Sequence, residues 1–327
     1  LQEKLSTLPT RGVLLRIDDT EDRQWEFSAD AQTIVKEPAL LQRAGNLGPP
    51  QLDKPVAPWT MVGVPGPLWA KHLLGDRATE LDLYARLADA LLLNREDPLQ
   101  AWKEHVSSID ERLAMLNRLE IAYLEITDGA GTNIRLAPVS ESRWRGGVRK
   151  LADGRAFIPL LPPDRVSMLV DRTITEGVIH TTGSFPLLGG TVRGARIGFS
   201  GGAVSTFSAD QGEHLLKAAL EVDEGILHLG ECSLVEHGSS LSSVADHFGY
   251  RGFDENSTST LTLGMGEAFH LEALETYADE LELQQQTGCN VSHLRIRFPI
   301  GDAQLTVTAH QTDGQEMIIM RDGLFLR

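Results

Sequence analysis

From residue 121 onward the sequence changes period, and that change limits the fold more than any other feature. Before it, apolar residues recur three and four apart. Leu81, Tyr84, Leu87, Ala88, Leu91 and Leu92 form one stripe over 79–93, and Trp102, Val106, Ile109, Leu113 and Leu116 form another over 99–118. Both spacings predict amphipathic helices. Further upstream, GVLLRI (12–17) reads as a strand, and WTMVGVPGPLWAKHLLG (59–75) as a strand followed by a short helix ended by Gly75. Pro49, Pro50, Pro55 and Pro58 mark a loop or linker.

After residue 120 come short strands cut by turn signals. IAYLEI (121–126) precedes Asp128-Gly129, and TNIRLA (132–137) follows. Asp153-Gly154 marks a hairpin, and 191–207 reads as two strands around Gly201-Gly202. SADQGEHLLKAAL (208–220) predicts a helix capped by Ser208, and a longer helix is expected over about 257–283. The end reads as a meander, 293–300, 304–310 and 316–320, with turns at Asp313-Gly314 and Asp322-Gly323. The pattern implies a mixed α/β and α+β chain. Its 327 residues exceed one comfortable core, so two domains are expected, an α/β part over 1–95 and a strand-rich part over 96–327.

Composition removes several function classes. The formal charge of −16 argues against a nucleic-acid partner, since phosphate binding needs local positive charge. No apolar run approaches a membrane span, and no signal-peptide pattern opens the chain. The two cysteines, Cys232 and Cys289, are too few for a disulfide scaffold and fit buried thiols in a reducing cytoplasm. Residue 1 is Leu rather than Met, so amino-terminal sequence is expected to be missing.

One stretch stands out for its chemistry. In SHLRIRFPIG (292–301), strand alternation puts Leu294, Ile296 and Phe298 on one face and His293, Arg295 and Arg297 on the other. Two guanidiniums so placed lie about 7 Å apart and repel by roughly 2 kcal/mol at an effective dielectric of 20. Taken alone, the pair reads as a solvated strand face. Other chemistries find little support. His228, His237, His247 and His270 lack a zinc spacing such as H-E-x-x-H and read as satisfied core or surface groups. GTVRGARIG and GFSGG lack the order of a phosphate cradle, GSSLSS is a loop, and Cys232 falls in an apolar strand unsuited to a nucleophile.

Several phrases together resemble the thermophilic-type metalloaminopeptidases, the aminopeptidase T, aminopeptidase S and PepS family. They are DPLQAWKEHVSSIDERLAMLNRLEI (97–121), RWRGG (143–147), DGRAFIP (153–159), TFSADQGEHLLKAALEVDEGILHLGECSLVEHGS (206–239), GFDEN (252–256), NVSHLRIRFPIG (290–301) and RDGLF (321–325). The similarity runs from roughly 56 to 327, with the family's amino-terminal domain shortened. It implies a homodimeric two-domain exopeptidase fold in which paired divalent ions such as zinc, cobalt or manganese activate a water.

Position by position, the resemblance implies that most of the metal ligands are replaced. Glu231, in HLGE, survives. The family's PTEE falls on Pro162-Pro163-Asp164-Arg165, so a ligand glutamate becomes Arg165. A histidine becomes Thr260, a tyrosine becomes Glu267, and the histidine and aspartate of HVDFMIG become Arg295 and Arg297. Arginine cannot ligate a metal. The expectation is a salt-bridge cluster of Arg165, Arg295 and Arg297 with Glu231, Glu267 and Asp164, holding no cofactor and having no catalytic residue. Asp164, Arg165, Glu231, His293, Arg295 and Arg297 are then candidates to line a pocket that binds a peptide or protein partner, as in an accessory protein of a peptide biosynthetic pathway. Two alternatives stand beside it: an active enzyme whose rearranged site uses Glu231, Glu267, Asp164 and His293, and a structural dimer with an inert pocket.

Overall fold

A computed structural model describes residues 12–18, 29–47, 57–151, 153–245, 247–271 and 277–326, the side chains of Arg43 and Ala268 excepted. The expected linker prolines Pro49, Pro50 and Pro55 lie outside them, as do residues 272–276 of the expected long helix.

The amino-terminal part opens with β1 (Leu14–Asp18) and β2 (Trp59–Gly63), paired in parallel. Between them sit two short helices, α1 (Ala31–Ile34) and α2 (Pro38–Arg43). Helices α3 (Pro67–Leu74), α4 (Glu80–Ala90) and α5 (Pro98–Leu116) follow. Each starts at a chemical signal: Pro at the first turn of α3 and α5, and a Thr79–Asp82 capping box on α4. The buried stripe of α4 is Leu83, Leu87, Ala88 and Ala90, while Leu81 and Tyr84 are exposed. The expected stripe is thus offset in part: Leu87, Ala88 and Leu91 are buried as expected, whereas Leu83 and Ala90 turn inward where Leu81 and Tyr84 were expected.

The remainder is built on a large sheet. Its strands β3 (Ile121–Thr127), β4 (Asn133–Pro138), β8 (Val166–His180), β13 (Leu229–Leu234), β14 (Ser259–Gly264), β15 (Arg295–Ile300), β16 (Thr306–Gln311), β17 (Glu316–Arg321) and β18 (Leu324–Phe325) run in the order β15-β14-β13-β8-β4-β3-β16-β17-β18. Short strand β5 (Arg145–Gly146) and the hairpin β11 (Arg196–Ser200) and β12 (Ala203–Ser208) branch from β8. Two small hairpins, β6 (Arg149–Lys150) with β7 (Ala156–Phe157) and β9 (Phe185–Leu187) with β10 (Gly190–Val192), stand apart. The long strand β8 spans the sheet, pairing β13 at one end and β4 and β11 at the other. Three further helices are α6 (Glu213–Leu220), α7 (Arg251–Ser257) and α8 (Glu280–Thr287).

Three expectations change here. Ser208 ends β12, and α6 is capped by Gly212 instead. The expected helix over 257–283 is in its described part a strand, β14, a 3-10 turn at Ala268–His270 and only then α8. The carboxyl-terminal strands are not one meander, since β15 pairs β14 whereas β16 pairs β3 and β17. No helix among the described residues is long and apolar enough to cross a membrane.

The main core lies under the sheet, with Met168, Cys232, Leu261 and Phe298 all buried. A second core matters more for the site. Trp69, Leu83 and Leu87 from α3 and α4 pack with Phe248, Tyr250 and Phe253. Trp69 stacks on Phe253 at 5.9 Å and donates its indole N–H to the Phe248 carbonyl at 2.7 Å. The amino-terminal helices thereby press α7 against the face of β13, β14 and β15 opposite the main core.

Candidate functional site

Adjacent antiparallel strands align residues of one face across the ladder. Glu231 on β13 sits opposite Thr262 on β14, and Thr262 opposite Arg297 on β15. Arg295, two residues along from Arg297, shares that face. The other face of the same strands is apolar, so this one gathers the polar groups. The start of β15 is pinned by Asn46, which accepts the Arg295 backbone N–H at 2.9 Å and donates to the Arg295 carbonyl at 3.3 Å.

Glu267 reaches the same place through two glycines. A Cβ on Gly266 would lie 2.5 Å from the Gly230 carbonyl, and one on Gly230 would lie 2.1 Å from that of Gly264. Only glycine allows that approach. It lets the Glu267 backbone N–H donate to Glu231 Oε2 at 3.0 Å. From above, α7 presents Arg251 and Glu255, one helical turn apart and paired with each other at 2.6 Å. The β6–β7 hairpin contributes Arg149, whose guanidinium lies 3.9 Å over the Phe269 ring. Arg165 enters just before β8, with its backbone N–H donated to Asn256 of α7 at 2.9 Å.

The result is an ionic cluster in which each carboxylate touches several guanidiniums. Glu231 meets Arg165 and Arg295, both at 3.2 Å, and also accepts the Ser233 hydroxyl at 3.1 Å. Glu267 meets Arg251 at 2.6 Å, Arg149 at 2.7 Å, Arg295 at 3.0 Å and Arg165 at 3.5 Å. Glu255 meets Arg251, Arg297 and, at 3.1 Å, Arg165. Five guanidiniums (Arg149, Arg165, Arg251, Arg295, Arg297) thus face three carboxylates (Glu231, Glu255, Glu267), a surplus of two positive charges among the described residues.

Burial by itself would raise these carboxyls. The surrounding guanidiniums more than offset it, so Glu231, Glu255 and Glu267 are all held below the usual carboxylate range. Burial also opposes the charge on Arg165, yet Glu255, Glu231 and Glu267 leave its pKa raised. Arg297 differs. Burial, with Arg295 beside it, lowers its pKa to about 9, still cationic at neutral pH. His270, fully buried at the cluster's edge, is pushed down to about 4 by desolvation and is neutral. Its ring nitrogens lie 3.3 Å from the Ser167 hydroxyl and 3.2 Å from the Arg143 carbonyl, a satisfied core histidine as its sequence context implies.

The structure brings together Arg165, Glu231, Glu267, Arg295 and Arg297, with Thr260 buried on the same face. Two expected members lie elsewhere. Asp164 pairs with His105 of α5, because neighbouring residues entering β8 point to opposite sides. His293 precedes the strand, is exposed, and gives its backbone N–H to Asp223 at 2.8 Å. The third carboxylate is Glu255, not Asp164. Glu255, Arg251 and Arg149 escaped the sequence reading. The four-residue Arg251–Glu255 spacing was the available signal for two of them, while nothing local marks Arg149.

A pair of divalent ions does not fit these residues. Metal ligation needs free carboxylate lone pairs and is opposed by adjacent fixed cations, yet guanidiniums lie against both oxygens of Glu231, Glu255 and Glu267. No group of three His, Cys, Asp or Glu side chains among the described residues is arranged to hold a metal.

Residues 28–325 match the family described as Thermophilic metalloprotease (M29), a span that begins upstream of the similarity visible from residue 56. Aminopeptidase 2 of Geobacillus stearothermophilus is 30% identical over 269 residues, 81% of this chain and 64% of that protein. Aminopeptidase T of Thermus aquaticus is 30% identical over 271 residues, 82% and 65% of the two chains. Aminopeptidase PepS of Streptococcus thermophilus is 28% identical, with 81% and 64% covered. The chain therefore spans just under two thirds of the length of these relatives. The structure of wild-type AmpT from Thermus thermophilus matches the fold with a TM-score of 0.80 at 22% identity, over 100% of this chain and 84% of that one.

Proposed function

This chain belongs to the thermophilic metalloprotease family M29, and on that premise we propose that it is a non-hydrolytic member that uses an aminopeptidase-like fold to bind a peptide or a partner protein. One observation carries the reading: the carboxylates at positions that the family resemblance maps to metal ligands, Glu231 and Glu267, are ion-paired to arginines. A dinuclear centre lowers the pKa of a bound water and polarises a carbonyl. A guanidinium can polarise a carbonyl but cannot make hydroxide from water, so the attacking group is missing. The rearranged enzyme built on Glu231, Glu267, Asp164 and His293 draws no support from a geometry in which Asp164 pairs with His105 and His293 is exposed ahead of β15.

The test is cleavage of aminoacyl p-nitroanilides by purified protein with added zinc, cobalt or manganese. The reading expects background rates with each ion and no response to chelator. Chelator-sensitive turnover with any of them contradicts it. An inert pocket is separated by calorimetric titration with a random short-peptide mixture, where the reading expects saturable heat that is lost in Arg297→Gln.

A further inference from the structure

The cluster is layered by exposure. Its carboxylates are at the bottom, with side-chain exposures of 0% for Glu231, 2% for Glu255 and 9% for Glu267. Its mouth is cationic, with Arg251 at 50%, Arg149 at 25% and Arg297 at 19%. A ligand approaching the site meets guanidiniums first.

The hydrogen-bond ledger is also incomplete, mostly among donors: Arg165 Nη1 and Glu255 Oε2, 3.1 Å apart, make no aligned hydrogen bond, and more groups around Arg297 join them. Arg297 Nε and Nη2, Arg295 Nε and the hydroxyls of Thr260 and Thr262 make no hydrogen bond, although Arg297 Nη2 stands beside a Glu255 oxygen in an unaligned ion pair. Thr262, Thr260 and Arg295 are at least nine-tenths buried. Native interiors rarely leave so many polar atoms unpaired in one place. Arg297 and Thr262 are cross-strand partners, and Thr260 follows on the same face. Nε and Nη2 form one edge of a guanidinium, whose parallel N–H bonds make the fork that a two-oxygen acceptor fills. Water could satisfy the donors, but it would not balance the two surplus positive charges. An anion does both.

We infer that the cluster is a carboxylate-binding site entered through this mouth, in which Arg297 grips the ligand through its Nε–Nη2 edge in place of Glu255, and Thr262, Thr260 and Arg295 complete the cradle. A peptide's terminal or acidic carboxylate and a free oxyanion present the same chemistry, and the peptide carboxylate is the occupant proposed. The inference rests on the metal-free reading above.

Thermal shift and calorimetry on the whole chain, with metal content measured on the same sample, test it using tri-alanine, tri-alanine amide and inorganic phosphate against matched sodium chloride. Tri-alanine is expected to bind saturably and its amide about tenfold or more weakly. Arg297→Gln should lose about tenfold or more in tri-alanine affinity. Thr262→Val should weaken binding without lowering the unfolding temperature, which a purely structural hydroxyl would not do. Equal binding of acid and amide, unchanged binding in Arg297→Gln, or no shift beyond sodium chloride overturns the inference. Phosphate binding without tri-alanine binding overturns the peptide source. A sample loaded with metal sinks the metal-free reading itself, whereas a metal-free sample that ignores every probe sinks only the carboxylate site.

Discussion

Strands β8, β13, β14 and β15 have two buried faces that solve burial in opposite ways. On one, Met168, Cys232, Leu261 and Phe298 form an ordinary core at 1% exposure or less. On the other, Glu231, Thr262 and Arg295 are buried nearly as well and Arg297 is half-buried, yet all are charged or polar. The apolar face gains from the area it removes from water and from packing. The cluster on the polar face takes the desolvation cost of its buried charges, Glu231, Glu255, Glu267, Arg165 and Arg295, and recovers it through mutual contact. A face that costs this much adds little net stability.

The comparison predicts its largest effect from unpairing. Arg295→Met, close to isosteric, strips a guanidinium from Glu231 and Glu267 together and should cost about 3–5 kcal/mol. Leu261→Met on the opposite face conserves volume and should cost under about 1.5 kcal/mol. Urea unfolding of both variants checks the contrast, and equal losses would break it.

Acid should act mainly on the polar face. The lowered pKa values of Glu231, Glu255 and Glu267 mean that the unfolded chain binds protons first as pH falls through about 4.5, so their stabilisation is complete above that value and lost below it. His270 has the same sign. Its pKa falls from 6.5 unfolded to about 4 folded, so roughly 3 kcal/mol should drain away between those values. His247, raised by Asp254 against burial, works the other way, its contribution present below 6.5 and lost as pH rises through its folded pKa. Unfolding free energy measured from pH 7 to 4 should decline, and His270→Gln should flatten the slope between 6.5 and 4.

Smaller effects sharpen the contrast. Changing Glu231→Leu together with Arg295→Met should recover most of the single-variant loss, because removing both members relieves desolvation that removing one leaves behind. A double variant no better than Arg295→Met in urea would refute that. His293→Ala, outside the cluster, should stay within about 0.5 kcal/mol and bind tri-alanine like the parent.

What was legible in the sequence followed local physics. The alternation in RIRFPI put Arg295 and Arg297 on one face, and matched motifs brought Arg165 and Glu231 to it. STLTLG (259–264) alternates as a strand should, but the helix-favouring residues after it masked that period, so Thr260 and Glu267 were assigned to a helix. Arg149, Arg251 and Glu255 arrive through packing between distant segments, the last two on a helix held by Trp69 from far upstream. No spacing encodes that. Asp164 and Arg165 are adjacent, and nothing in sequence says which one turns inward.

The proposed metal-free site rests on guanidiniums standing where the family resemblance puts metal ligands, and metal stoichiometry tests that most directly. Protein expressed with supplemental zinc, cobalt and manganese, purified without chelator and passed through gel filtration, should carry well under one divalent ion per chain by elemental analysis. Close to two ions per chain, retained through the column and removed only by chelator, would contradict it.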